Sequence, residues 1–161
     1  MSVIPLIIEG SAATVVEKQT DFDLEGTAVL IRNLDQAQLT DTDTSNVSYD
    51  FRIGDKYRSH LEKEPREIRD ESTITLHPGS ALIIETAEYV HLPRRTFGII
   101  APKVSLLQRG LSTTFSKVDP GYHGHLLITL FNLGQTTCEL KKGEGFCAFS
   151  VIEVGERCGA V

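Results

Sequence analysis

Short runs rich in β-branched and aromatic residues recur along the whole chain, each closed by turn residues, and this repetition limits the fold to an all-β one. The runs cover residues 28–32, 47–53, 72–76, 81–86, 96–101, 125–131 and 147–154, lengths typical of strands and too short for helices. Their separators carry turn chemistry: His77-Pro78-Gly79-Ser80, Asp119-Pro120-Gly121 and Lys142-Gly143-Glu144-Gly145. The best helical segment is brief, residues 104–109, placed after Pro102 and stopped before Gly110. Such a pattern predicts a compact antiparallel sandwich or barrel with one short helix.

The length of 161 residues fits one domain over residues 1–161, large enough to bury a core. Residues 33–46, rich in Asp, Thr, Gln and Ser, and the charge-dense residues 62–72 read as surface loops. The run 125–131 is apolar on both faces apart from Thr129, as for a strand covered on both sides, the second face by a neighbouring subunit. Residues 3–8 are apolar without a basic flank, and read as a packed strand or subunit contact rather than a leader.

No apolar run approaches the length of a membrane span. A net charge of −6 argues against a broad phosphate-tracking surface, so no nucleic-acid partner is expected; a phosphate ligand would need a small, local cationic pocket. Cys138, Cys147 and Cys158 have neither paired spacing nor scaffold density, which points to reduced thiols and a cytoplasmic location. His123 and His125 could share one side of a strand, but two histidines make an incomplete metal site and no metal is assigned to them.

Three ordered segments between about residues 46 and 154 carry a resemblance. The first is Val47-Ser48-Tyr49-Asp50-Phe51-Arg52-Ile53-Gly54. The second runs from Leu76-His77-Pro78-Gly79 through Leu92-Pro93 to Ala101-Pro102-Lys103-Val104-Ser105-Leu106-Leu107-Gln108-Arg109-Gly110-Leu111. The third is Val118-Asp119-Pro120-Gly121-Tyr122-His123-Gly124, followed by Leu130-Phe131-Asn132 and Lys142-Gly143-Glu144-Gly145-Phe146. Together they resemble the dCTP deaminase/dUTPase superfamily. The resemblance implies a distorted jelly-roll β-barrel of the dUTPase-like type, assembled as a homotrimer. It also implies deoxypyrimidine nucleoside triphosphate sites between subunits, with Mg²⁺ carried on the triphosphate.

The same resemblance implies roles for single positions. Asp119 matches the aspartate that orients water for attack on the α-phosphate, a task within a carboxylate's reach as general base; the competing reading is a residue that starts a Pro-Gly turn. Tyr122 matches the aromatic residue beneath the deoxyribose, or is simply a core aromatic. Lys103 and Ser105 match a phosphate-binding arginine and serine, although lysine is a point charge without arginine's bidentate fork. Gln108 replaces a second arginine, Val104 a serine, and Arg109 lies one position away, rotated by about 100° on a helical turn. Lys117 is a phosphate contact or a solvated lysine.

Thr129 stands where dCTP deaminases carry the glutamate that activates water, and threonine cannot take up that proton near neutral pH. Zinc-dependent deamination is also unsupported, because the paired histidine–glutamate and cysteine motifs are missing. The connection from Leu111 to Asp119 is about two residues shorter than the family's base-receiving hairpin. Only Gly155 to Val161 follow Val154, a tail too short for the family's glycine-rich lid, with Arg157 its one possible remnant. The leading expectation is therefore a dUTPase-type hydrolase that makes dUMP and pyrophosphate. A catalytically degenerate nucleotide-binding or regulatory protein is the alternative, and dCTP deamination ranks third.

Overall fold

A computed structural model of the chain describes residues 3–4, 15–16, 22–39, 48–69 and 72–153. The chain is built of strands β1 (Val3–Ile4), β2 (Val15–Val16), β3 (Val29–Arg32), β4 (Tyr49–Ser59), β5 (Arg66–Glu67), β6 (Thr73–Leu76), β7 (Ala81–His91) and β8 (Thr96–Pro102). After α1 (Val104–Leu107), the one α-helix among the described residues, come β9 (Leu111–Thr113), β10 (Ser116–Val118), β11 (His123–Asn132), β12 (Cys138–Lys141) and β13 (Gly145–Glu153). The expected all-β architecture with one short helix is what forms. The helix is a single turn ending at Leu107 instead of residue 109: Gln108 N–H still bonds to the Val104 carbonyl, but Arg109 and Gly110 N–H close as tighter turns onto the Leu106 and Leu107 carbonyls.

One sheet follows the order β10-β8-β13-β4-β7-β11-β9, with β3 continuing along β7 where β4 leaves it. Alternation decides which way it curls: on β7, Leu82, Ile84, Thr86, Glu88 and Val90 are buried while the residues between them are half-exposed. The inward faces of β4, β7, β11 and β13 meet around Tyr49, Phe51, Phe146 and Phe149, which are fully buried. The β6–β12 ribbon closes the remaining side. Asn132 ties the two sheets, donating through Nδ2 to the carbonyls of Leu76 and Thr136 and accepting from Gly134 N–H. The result is a curled, half-closed barrel of jelly-roll type.

The register of β4 on β7 slips between Ile53 and Tyr57, and Gly54 sits in that bulge. A Cβ there would lie 2.7 Å from the Glu85 carbonyl oxygen and 2.8 Å from that of Thr86, so only glycine lets the two backbones approach.

Several expectations need correction. Strand β7 continues to His91, five residues past the expected end at Thr86, and residues 62–72 contain β5. No correction falls on β11: within one chain it is buried on one face, and on the other, the face expected to lie against a neighbouring subunit, Leu127 is 65% exposed. The loop expected at 33–46 opens with a 3₁₀ turn, Gln36–Gln38, capped by Asp35 Oδ1 on Ala37 N–H. Val3 and Ile4 pair with Ile152 and Val151 on β13, as an apolar edge strand should. Val47, residues 5–8, 40–46 and Val154 with the whole tail, Arg157 and Cys158 included, lie outside the described residues.

Candidate functional site

Asp119 follows β10 and opens a tight turn. Tyr122 N–H bonds to the Asp119 carbonyl at 3.1 Å, and Gly121 has φ +77°, the combination expected of a Pro-Gly type II turn, in which the third residue needs positive φ. Two further hydrogen bonds pin this turn to the end of β7: Gly121 N–H to Leu92 O at 3.1 Å and Leu92 N–H to Tyr122 O at 2.9 Å. The Asp119 carboxylate is 70% exposed and its Oδ1 lies 2.5 Å from Lys117 Nζ. The backbone is therefore fixed while the carboxylate faces water beside a cation.

Tyr122 packs half-buried against the core. Burial, with the nearby Tyr89, raises its hydroxyl above the ordinary phenol range, so it stays protonated and donates to the His125 carbonyl at 2.8 Å.

Lys103, Ser105 and Gln108 form a second group. Lys103 precedes α1 and its carbonyl accepts from Leu106 and Leu107 N–H, both at 3.0 Å. Leu106 anchors the turn in the core, leaving Ser105 and Gln108 exposed three positions apart on one side. The Lys103 ammonium turns inward to Asp50 Oδ2 at 2.6 Å, where Gly145 leaves room for it. Arg109 points away from this group, to Glu144 Oε1 and the Glu139 carbonyl, each at 3.2 Å.

These groups do not meet within one chain. Val118 pairs with Gly98, five positions before Lys103 on β8. Asp119 is one step further on, level with Phe97 and six positions from Lys103, so at about 3.3 Å per residue the two are roughly 20 Å apart along the strand. Thr129, half-buried and paired with Ile83, lies on the outer face of β11 toward the α1 end. Lys117, Asp119 and Tyr122 thus gather at one end of the barrel; Lys103, Ser105, Gln108 and Thr129 lie toward the other.

Sequence reasoning missed the most buried carboxylate among the described residues. Glu88 has no exposed surface; its Oε1 accepts from Arg52 Nε at 2.6 Å and the Tyr49 hydroxyl at 2.8 Å, and its Oε2 from Arg52 N–H at 3.0 Å. Burial pulls the Arg52 pKa down, but the Glu88 hydrogen bond and charge outweigh it and hold the guanidinium above its ordinary value. Arg52 also contacts Asp35 Oδ2 at 3.4 Å and the Asn33 carbonyl. Tyr49 and Arg52 are therefore structural in this chain, and Asp50 holds Lys103. The signal was available: with β7 extended two residues past Thr86, Glu88 falls on the inward register.

A family model described as dCTP deaminase-like matches residues 17–154. A curated dCTP deaminase from Thermococcus kodakarensis is 31% identical over 106 residues, covering 66% of this chain and 67% of that protein. Among solved structures, the 2'-deoxycytidine 5'-triphosphate deaminase from Agrobacterium tumefaciens superposes with TM-score 0.63 at 17% identity, over 75% of this chain and 43% of that one. A mutant dUTPase from phage phi11 of S. aureus, solved to reveal coordination of a structural Mg(II) ion, superposes with TM-score 0.59 at 16% identity, over 83% and 95%. At these identities the two superpositions establish the barrel as the dUTPase-like type.

Proposed function

This chain belongs to the dCTP deaminase-like family, and from that footing we propose that it hydrolyses a deoxypyrimidine nucleoside triphosphate, dUTP first, to the monophosphate and pyrophosphate. The observation that carries the reading is Asp119: a water-facing carboxylate on a backbone pinned at both sides, with Lys117 Nζ at 2.5 Å. Asp119 orients a water and accepts its proton, which passes to solvent. The water oxygen bonds to the α-phosphorus as the bond from that phosphorus to the α–β bridging oxygen breaks, and pyrophosphate leaves. Lys117 offers charge to the phosphates, and Tyr122 offers its ring to pack beneath the sugar.

Among the described residues no three His, Cys, Asp or Glu side chains gather to cage an ion. Mg²⁺ would therefore arrive on the triphosphate, as is usual for this small, firmly hydrated cation. Because the Asp119 end and the α1 end are separated within one chain, a complete site needs a second copy that brings its α1 end to the first copy's Asp119. A homotrimer supplies that contact three times over. Ser105, Gln108 and Thr129 then come from the neighbouring copy, and Lys103 contributes only if its ammonium leaves Asp50.

Deamination is disfavoured because Thr129 has no group to move a proton near neutral pH. A second reading, nucleotide binding without turnover, is favoured by one observation: the Lys103 ammonium is held by Asp50 at 2.6 Å. The readings separate when purified protein is incubated with dUTP or dCTP and Mg²⁺ and the products are resolved. Pyrophosphate and the monophosphate support hydrolysis. Saturable nucleotide binding with no product supports the second reading, and ammonia released from dCTP overturns both.

A further inference from the structure

Three of the chain's five histidines, His91, His123 and His125, lie on two adjacent strands, and the hydrolytic reading uses none of them. Sequence spacing pairs His123 with His125, but the register pairs His123 with His91, directly opposite across β11 and β7. Both side chains belong to the outward face: on β7 the inward positions are even-numbered, and on β11 His123 is exposed.

We infer that His91 and His123 form a two-imidazole site for a borderline divalent transition ion of the Zn²⁺ class. The geometry carries this. With Zn–N bonds of about 2.1 Å, two imidazoles sharing one tetrahedral ion have ring centroids roughly 5 Å apart. The observed centroids are 5.3 Å apart, with the planes inclined at 55°. Directly opposed residues on antiparallel strands start from closely spaced Cβ atoms, so little side-chain freedom is lost when both rings bind.

The surroundings suit a ligand role. Phe22 stacks on one face of His91, centroids 4.1 Å apart at 29°. That contact fixes the ring but leaves its in-plane nitrogen lone pair free, which is the atom a metal takes. Burial, then His123 and Arg32, hold His91 below its ordinary pKa, and a ligating imidazole must be neutral. Arg32 is the unfavourable neighbour; its guanidinium lies over the Tyr89 ring, 4.8 Å from the centroid, and its charge weakens cation binding without blocking it. His125 ring Nδ1 is taken by the Thr86 carbonyl at 2.9 Å and the ring sits edge-on to Tyr89. No third ligating side chain joins the pair among the described residues, so water completes the coordination. Hard, oxygen-seeking Mg²⁺ does not fit two nitrogens.

The position gives an ion something to hold. His91 precedes Leu92 and His123 follows Tyr122, and Leu92 and Tyr122 share the hydrogen bond that pins the Asp119 turn. A bound ion would staple β7 to β11 directly beneath that turn, whatever reaction the turn serves.

The test is calorimetric titration of tag-free, chelator-stripped protein with ZnCl₂ in excess Mg²⁺ at neutral pH, all in a Cys158→Ser background. One ion per chain is expected, weakened at least about tenfold in His123→Ala and unchanged in His125→Ala. Zinc should raise the thermal midpoint of the parent and not that of His123→Ala. His123 is exposed, so this variant folds; His91→Gln provides the second arm and should lose binding likewise. No saturable heat in the parent, undiminished binding in His123→Ala, or an equal loss in His125→Ala overturns the inference.

Discussion

Arg52 Nε lies 2.6 Å from Oε1 of Glu88, a carboxylate with no exposed surface, and the same arginine reaches out to Asp35 and the Asn33 carbonyl. A charge pair this deep costs much to desolvate, but breaking it by removing one partner leaves the other charge stranded. Glu88→Ala is therefore expected to destabilise the fold by roughly 3–5 kcal/mol, read as a lower urea midpoint. A change below about 1 kcal/mol would mean that the network is not closed in the folded state.

Gly54 sets the bulge that lets β4 cross β7. Gly54→Ala places a methyl group 2.7 Å from the Glu85 carbonyl oxygen, and the obstructing atoms are β7 backbone, which cannot swing aside as a side chain would. The expected loss is about 1–3 kcal/mol by chemical denaturation. The same substitution at Gly79 meets nothing within 4 Å but forces alanine into φ +73°, so its smaller penalty is conformational alone.

Burial first, then the charges of Glu88 and Asp50, push the Cys147 thiol well above its ordinary pKa, and the Lys103 ammonium offsets this only in part. The thiolate is the reactive form, so native Cys147 should resist alkylation at mildly alkaline pH and label only on unfolding. Peptide mapping after iodoacetamide treatment checks this; rapid native labelling of Cys147 would contradict the packing around β13.

One chain holds Asp119 and Lys103 at opposite ends of β8. If they serve one site, light scattering must return three times the chain mass, and activity must fall on dilution below the assembly threshold. An active monomer would separate the two groups for good.

Much of the fold was legible because strand alternation and turn chemistry are local. Seven strands, the helix and the Asp119 turn each announce themselves within a few residues. What the sequence hid depends on distant partners. Ala87 and Glu88 interrupt the apolar pattern of β7, so the strand looked finished at Thr86; Glu88 is tolerated inside only because Tyr49 and Arg52 meet it. Leu126, Leu127 and Ile128 mask the alternation of β11, and one chain leaves open the Leu127 face that the sequence reading set against a neighbouring subunit. The motif Tyr49-Asp50-Phe51-Arg52 marked the family, yet its polar members support the barrel and hold Lys103, contacts that exist only once distant strands meet. His91 drew no notice because its pairing with His123 is a matter of register, not spacing.

In the proposed reaction water attacks the α-phosphorus under the guidance of Asp119. Turnover of dUTP in ¹⁸O-labelled water tests this most directly. One labelled oxygen should appear in the monophosphate and none in pyrophosphate, and Asp119→Asn should abolish the incorporation. Label in pyrophosphate, full activity in Asp119→Asn, or ammonia from dCTP without pyrophosphate would contradict it.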